Sequence, residues 1–214
     1  MHLKDTLSVE LIGHTDLDVA ITAMRKCWAS EDKTDTCWRI QNDQVVMILG
    51  DNDRRLIQRI IESDHTSTVE HIVYNFEIKD ISRAILQELA RHRIASLSVQ
   101  STRYALKKLL NGEVELESLL VPSGNDHIDR LNIEMLYRLR SVARNFDLPN
   151  DIAKYGIPEA FKTTLIWTAN ARSLRNFLKL RSSKRAHPEI RRLAHAVYGA
   201  LPEDHRLIFD GCMN

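Results

Sequence analysis

The stretch HIVYNFEIKD, residues 71–80, alternates without a break. Ile72, Tyr74, Phe76 and Ile78 fall on one side of an extended chain, and His71, Val73, Asn75, Glu77 and Lys79 on the other, because successive side chains of a strand face opposite ways. A strand that is apolar on one face belongs to an antiparallel sheet whose other face is wet or lines a site. Upstream, LSVELIGHT (7–15) alternates Leu7, Val9 and Leu11 and predicts a second strand.

Around these strands the pattern changes to a helical period. DLDVAITAMRKCW (16–28) predicts a helix capped at Asp16 or Asp18, and DNDRRLIQRIIES (51–63) one behind an Asp/Asn cap, with Leu56 and Ile57 paired with Ile60 and Ile61. Ser82 can cap a helix whose stripe, Ile85, Leu86 and Leu89, leads into Arg91. From about 126 to 146, Ile128, Leu131, Met135, Leu139, Val142 and Phe146 mark a long helix. Further helices are expected from about Pro158, around Ser173 and from Pro188, where proline suits a first turn. GEVELESLLVPSGN (112–125) predicts irregular structure, and LPNDIAKYGIP (148–158) a break between helices. The expected fold class is α+β: a single domain over 1–214, with several long helices around a small antiparallel sheet.

A chain of 214 residues suits one such domain. Lys+Arg number 30 against 29 Asp+Glu, so basicity is local, which favours a discrete anion site over a broad nucleic-acid surface. Cys27, Cys37 and Cys212 are scattered and odd in number, which predicts a reducing compartment rather than a disulfide framework. With no signal-peptide core and no run of about 18 apolar residues, the expectation is a cytoplasmic protein with no membrane partner.

Two runs gather the cations. RHRIASLSVQSTRYALKK (91–108) holds five Lys/Arg, one His and four Ser/Thr, with no acid between Glu88 and Glu113. Ile94, Leu97 and Val99 are laced through it, which suggests that part of the charge is carried indoors, where it needs an anionic partner. NARSLRNFLKLRSSKRAH (170–187) holds six Lys/Arg and no acid. At roughly 100° per residue, Asn170, Leu174, Phe177, Leu178 and Arg181 share one helix face, with Arg172, Asn176 and Lys179 opposite. Arg181 in an apolar stripe is either a snorkelling or internally paired side chain or a ligand for phosphate or carboxylate. HTSTVEH (65–71) puts His65, Ser67, Glu70 and His71 at a strand entrance, as a polar pocket wall or as plain turn chemistry; its spacing matches no strong zinc pattern, so no metal is expected. Neither G-x-G-x-x-G nor a P-loop occurs, and neither basic run has a Cys for thiolate catalysis.

RHRIASLSVQS, an R-H-R followed by seven residues and Ser, resembles the signature of the flavin-dependent thymidylate synthases. HTSTVEHIVYNFEI resembles that family's H-x-[ST]-x-x-E-H segment, and IPEAFKTTLIWTANARSLRNFLKLR its segment ending N-x-R-S-L-x-x-F-L-x-L-R, all in the family's order between His65 and Arg181. The resemblance implies a thymidylate synthase-complementing protein-like fold and an enzyme making dTMP from dUMP. It implies 5,10-methylenetetrahydrofolate as one-carbon donor, FAD as hydride carrier, NADPH as reductant, and a homotetramer with shared sites. It assigns Ser67, Arg91, His92, Arg93, Asn170, Arg172 and Asn176 to FAD, and Glu88, Arg91, Ser101, Thr102, Arg103, Lys154 and Arg181 to dUMP. Arg181 is the catalytic candidate, because a guanidinium facing uracil stabilises its N3-deprotonated form. His65 would help position folate and flavin. Two positions depart from the family: Val99, beside Gln100, stands where many members carry Gln or Glu, and Lys154 where they carry a phosphate-facing Arg. The competing reading is a non-catalytic RNA- or nucleotide-binding protein using the two basic runs as phosphate patches.

Overall fold

The structure, a computed structural model, describes residues 3–214. In chain order its elements are β1 (Ser8–His14), α1 (Leu17–Cys27), β2 (Cys37–Gln41), β3 (Gln44–Ile48), α2 (Asp51–Glu62), β4 (Val73–Ser82), α3 (Arg83–Leu89), β5 (Ala95–Val99), α4 (Thr102–Asn111), α5 (Asp126–Asn145), α6 (Asn150–Ala153), β6 (Lys162–Asn170), α7 (Ala171–Arg181) and α8 (Pro188–Gly199). Short 3-10 turns occupy Glu31–Lys33, Thr66–His71, Leu116–Leu119, Lys154–Gly156 and Asp204–Phe209. The expected α+β class is present, with a four-stranded sheet in the order β1-β4-β6-β5 and a separate β2–β3 hairpin.

The hydrogen bonds at the strand ends run in opposite chain order. Thr15 N bonds to Val73 O while Thr6 Oγ1 bonds to Asp80; Ala171 N bonds to Ile72 O while Arg83 N bonds to Phe161 O. β1, β4 and β6 are therefore antiparallel neighbours, as the alternation of 71–80 requires, and Ile72, Tyr74, Phe76 and Ile78 are all fully buried.

The helix expected from Pro158 is instead strand β6. Thr163, Leu165, Trp167 and Ala169 are its buried face, and its β-branched threonines and isoleucine suit the pleated half-buried surface. Four apolar residues in a short run do not by themselves distinguish the two periods. The break at 148–158 holds the single turn α6 and a 3-10 turn. α2 begins behind Gly50 rather than an Asp/Asn cap; a Cβ there would lie 2.2 Å from the Asp35 carboxylate carbon. That carboxylate takes over the capping, accepting the backbone N–H groups of Asn52 and Asp53 at 2.9 and 3.1 Å.

Two compact units are distinguishable. One comprises residues up to Val9, Glu77–Arg91 and Leu97–Trp167, with Leu106, Leu109, Leu116, Leu120, Ile133, Leu136 and Phe161 in its core. The other comprises Glu10–Phe76, His92–Ser96 and Thr168–Asn214. Its core includes Leu17, Met24, Ile57, Ile60, Tyr74, Phe177 and Phe209. A buried ion pair fastens α1 to α2 in this second unit: Asp53 accepts from Arg25 Nε at 2.9 Å and Nη2 at 2.6 Å, and from Thr34, Asp35 and Thr36.

The long helix forms as expected, but most of the apolar stripe that revealed it faces outward, with Leu139 alone half-buried against the core. Ile128, Leu131, Met135, Val142 and Phe146 are exposed, while Asp129, Asn132, Ile133, Leu136 and Ala143 are turned inward. Asp129 is satisfied there by the N–H of Ser123 at 2.8 Å. Among the described residues no helix is long and apolar enough to cross a membrane.

Candidate functional site

Most of the motif residues line two cavities, one within each unit, while Ser67, Glu88, Arg91 and Arg181 line neither. In the second unit, α7 opens directly from β6, and Asn170 caps it by accepting the N–H of Ser173 at 2.9 Å. This turn sets Asn170, Arg172, Ser173 and Asn176 along the wall of a cavity of about 210 Å³, which Glu70, His92, Arg93 and Ile94 complete. Arg172 donates to Glu70 Oε1 at 2.6 Å, so the Thr66–His71 turn and α7 are tied at the cavity.

His92 is the buried member, 8 % exposed, with its ring edge-on to Phe177 at 5.1 Å. Its Nε2 accepts a hydrogen bond from Arg181 Nε at 2.9 Å, which requires a lone pair on that nitrogen. Arg181 is half-buried at the end of α7, with this bond to His92 orienting its guanidinium. The expectation that part of the first basic run's charge lies indoors does not hold for the arginines: Arg91 and Arg93 are exposed, as are Ile94 and Val99, while Leu97 is half-buried. Ile94 is 79 % exposed and adopts a left-handed φ of 61°. For a β-branched residue this costs about 1–3 kcal/mol, strain that concentrates at functional sites.

The first unit brings Ser101, Thr102, Arg103 and Lys154 around a cavity of about 290 Å³ together with Arg83 and Tyr155. Ser101 stands at the N-cap of α4 without a capping hydrogen bond, which leaves its hydroxyl for a ligand. Arg83 Nη1 donates to Thr102 Oγ1 at 2.8 Å, and Lys154 Nζ sits 5.8 Å from the centre of the Tyr155 ring. Asp151 lies 3.5 Å from Arg103 and 4.0 Å from Lys154, a solvent-exposed contact of small energetic weight. A helix N-terminus, two hydroxyls and three cations line this cavity, groups whose chemistry suits an anion.

Arg83 and Tyr155 are absent from the sequence-predicted set. Arg83 follows the Ser82 cap and belongs to neither basic run, and Tyr155 is marked only by its neighbour Lys154. Glu88 is half-buried on α3 and Arg91 is exposed just beyond it, the two joined by Arg91 N to Glu88 O at 3.3 Å. Neither lines the cavity at Ser101. Ser67, exposed on the Thr66–His71 turn, and His65 lie outside the lining of the cavity at Asn170. Among the described residues no cluster of three or more His, Cys, Asp or Glu could hold a metal ion.

Residues 10–204 match the family described as thymidylate synthase complementing protein. The flavin-dependent thymidylate synthase of Wolinella succinogenes is 45 % identical over 216 residues, covering 97 % of this chain and 98 % of that one. That of Helicobacter pylori strain 26695 is 42 % identical over 211 residues, covering 94 % and 96 %. The crystal structure of the Helicobacter pylori enzyme complexed with FAD and dUMP superposes with a TM-score of 0.85 at 41 % identity, over 97 % of this chain and all of that one. On these matches the chain belongs to the thymidylate synthase complementing protein family, that of the flavin-dependent thymidylate synthases.

Proposed function

We propose that this protein converts dUMP to dTMP, taking the carbon from 5,10-methylenetetrahydrofolate and using FAD with NADPH as reductant. The observation that carries the reading is the Arg181–His92 bond beside a cavity of guanidinium and carboxamide donors. That donor set fits a flavin dinucleotide: Arg93 and Arg172 suit a pyrophosphate, and Asn170 and Asn176 suit the hydrogen-bonding edge of a heteroaromatic ring. Ser67, Arg91 and His92 complete the proposed FAD contacts. When bound, FAD supplies the hydride that reduces the transferred carbon to a methyl group.

In this reading Arg83, Arg103 and Lys154 neutralise the dUMP phosphate, Ser101 and Thr102 orient it at the start of α4, and Glu88 and Arg91 complete the nucleotide site. Arg181 faces the uracil and stabilises the negative charge that develops when N3 loses its proton, raising electron density at C5. His92 is a positioning residue: by accepting from Nε it fixes the plane of the guanidinium. Lys154 keeps the charge of an Arg but not its fork, so it holds phosphate as a point charge.

The cavity at Asn170, about 210 Å³, is smaller than the roughly 300–1,000 Å³ of complete ligand sites. A dinucleotide therefore needs further walls, which supports a homotetramer with shared sites. The outward stripe of α5 supplies the matching apolar face. Three free cysteines support a reducing, cytoplasmic setting, and the family match over 10–204 supports one synthase domain across 1–214. The RNA-binding alternative finds no support in the family membership. The test is dTMP formation by purified protein with all four small molecules, alongside Arg181→Ala. Product from wild type alone supports the reading; no product from a protein that retains flavin overturns the substrate assignment.

A further inference from the structure

A third pocket, about 430 Å³, lies in the second unit where the end of α1, the turn at Glu31–Lys33 and α2 meet. No residue that lines it also lines either cavity described above. Its chemistry is one-sided: Arg25, Lys33, Arg55 and Arg59 contribute cations, and no acid lines it. Arg25 is committed to Asp53, but Lys33, Arg55 and Arg59 form no ion pair among the described residues. Arg55 and Arg59 stand four apart on α2, a spacing at which like charges repel unless an anion sits between them.

Two further groups turn this from a charged patch into a shaped site. Trp28 lines the pocket with 46 % of its surface exposed, leaving an indole face open to stacking. Ser30, 8 % exposed, lines it as well and stands at the N-cap of the Glu31–Lys33 turn without making a capping hydrogen bond. Cations to one side, an aromatic face and a hydroxyl match a ligand with a phosphate and a planar ring. The volume falls within the roughly 300–1,000 Å³ of small-molecule sites.

We propose that this pocket binds a nucleotide, its phosphate held by Lys33, Arg55 and Arg59 and its base stacked on Trp28. The phosphate carries the affinity through charge-assisted hydrogen bonds, and the indole selects a ring over a bare anion. Two sources share this chemistry, the phosphorylated adenosine end of a pyridine dinucleotide and a free nucleoside triphosphate.

The test is calorimetric titration of protein saturated with FAD and dUMP, so that those sites are filled, using NADPH, dTTP and inorganic phosphate as probes. Arg55→Gln/Arg59→Gln, both exposed positions, weakens the nucleotide that binds here by about tenfold or more. Trp28→Ala weakens the same nucleotide about fivefold and leaves inorganic phosphate unchanged. Loss of NADPH affinity with a raised KM for NADPH identifies the reductant as occupant; loss of dTTP affinity alone identifies a free nucleotide. Unchanged binding of both nucleotides by both variants, or no nucleotide binding by wild type, overturns the proposal. Flavin content and dUMP affinity, measured on the same samples, stay at wild-type values here, whereas failure of the synthase reading itself would show in those two quantities.

Discussion

Arg181 donates from Nε to His92 Nε2 at 2.9 Å, joining the end of α7 to the middle residue of the Arg-His-Arg motif. Nε is the nitrogen this bond uses, and it orients the plane of the guanidinium. Arg181→Ala is expected to lower kcat for dTMP formation by about 10²–10³, the usual effect of removing an aligned donor, with flavin content retained. His92→Gln, which offers a carbonyl acceptor, retains more activity than His92→Ala. Equal activities for the two His92 variants would remove its positioning role.

At the proposed phosphate site, Arg83→Gln removes both a charge and the hydrogen bond to Thr102. The loss corresponds to about 1.5–3 kcal/mol, so dUMP binding weakens by about tenfold or more. Lys154→Arg, which restores a bidentate donor, is expected to tighten dUMP binding. Titration of dUMP into the flavin-loaded variants measures both; an unchanged affinity in Lys154→Arg would take Lys154 out of the phosphate shell.

The Arg25–Asp53 pair contributes to acid stability in the second unit. Burial pushes the Asp53 carboxyl up, but hydrogen bonds from Thr34, Thr36 and Arg25 outweigh it and hold the pKa at about 2, against an ordinary 3.8. Above that ordinary value Asp53 is ionised in both states and unfolding takes up no proton through it; its contribution of about 2 kcal/mol is lost as pH falls through 3.8 towards 2. Asp53→Asn leaves Arg25 buried without its charge partner and is expected to cost about 3–5 kcal/mol at pH 7, read as a lower urea midpoint.

His205 gives a second, milder window. Burial is the main cause that lowers its pKa to about 4, the nearby His14 adds to it, and Asp204 opposes it. Its Nδ1 shares a 2.8 Å hydrogen bond with the Tyr74 hydroxyl. The folded ring stays neutral while the unfolded one takes up a proton below about 6.5, so stability is full above that pH and declines as pH falls towards 4. Urea melts at pH 7.5, 6 and 5 should show this slope in wild type and a shallower one in His205→Gln. Identical slopes would place the acid sensitivity elsewhere.

Outward-facing Leu131 and Met135 on α5 test the proposed assembly. Replacing both with Glu removes apolar contact area without touching the core, so the isolated chain still folds. Light scattering is expected to show loss of the tetramer together with loss of flavin and activity. A variant that stays tetrameric would assign the interface to another surface.

Local pattern by itself determined much of this protein. The alternation of 71–80 specified a half-buried antiparallel strand, Ser82 and Pro188 marked helix starts, and the spacing of Leu174, Phe177, Leu178 and Arg181 put a cation on an apolar face. The residues of the Arg-His-Arg and Asn-x-Arg-Ser segments carried the family in their order along the chain, because a binding chemistry requires particular side chains at particular offsets. Tertiary structure alone decided the rest. Residues 162–170 became a strand because β4 offered an edge that satisfied their backbone groups, a choice invisible to a short apolar run. Most of the apolar stripe of α5 turned outward while Asp129 and Asn132 went in, since periodicity marks a face without saying which side the rest of the fold packs against. Arg83 joined Ser101 and Lys154, and Arg181 found His92, through contacts spanning up to 89 residues, which no local pattern encodes.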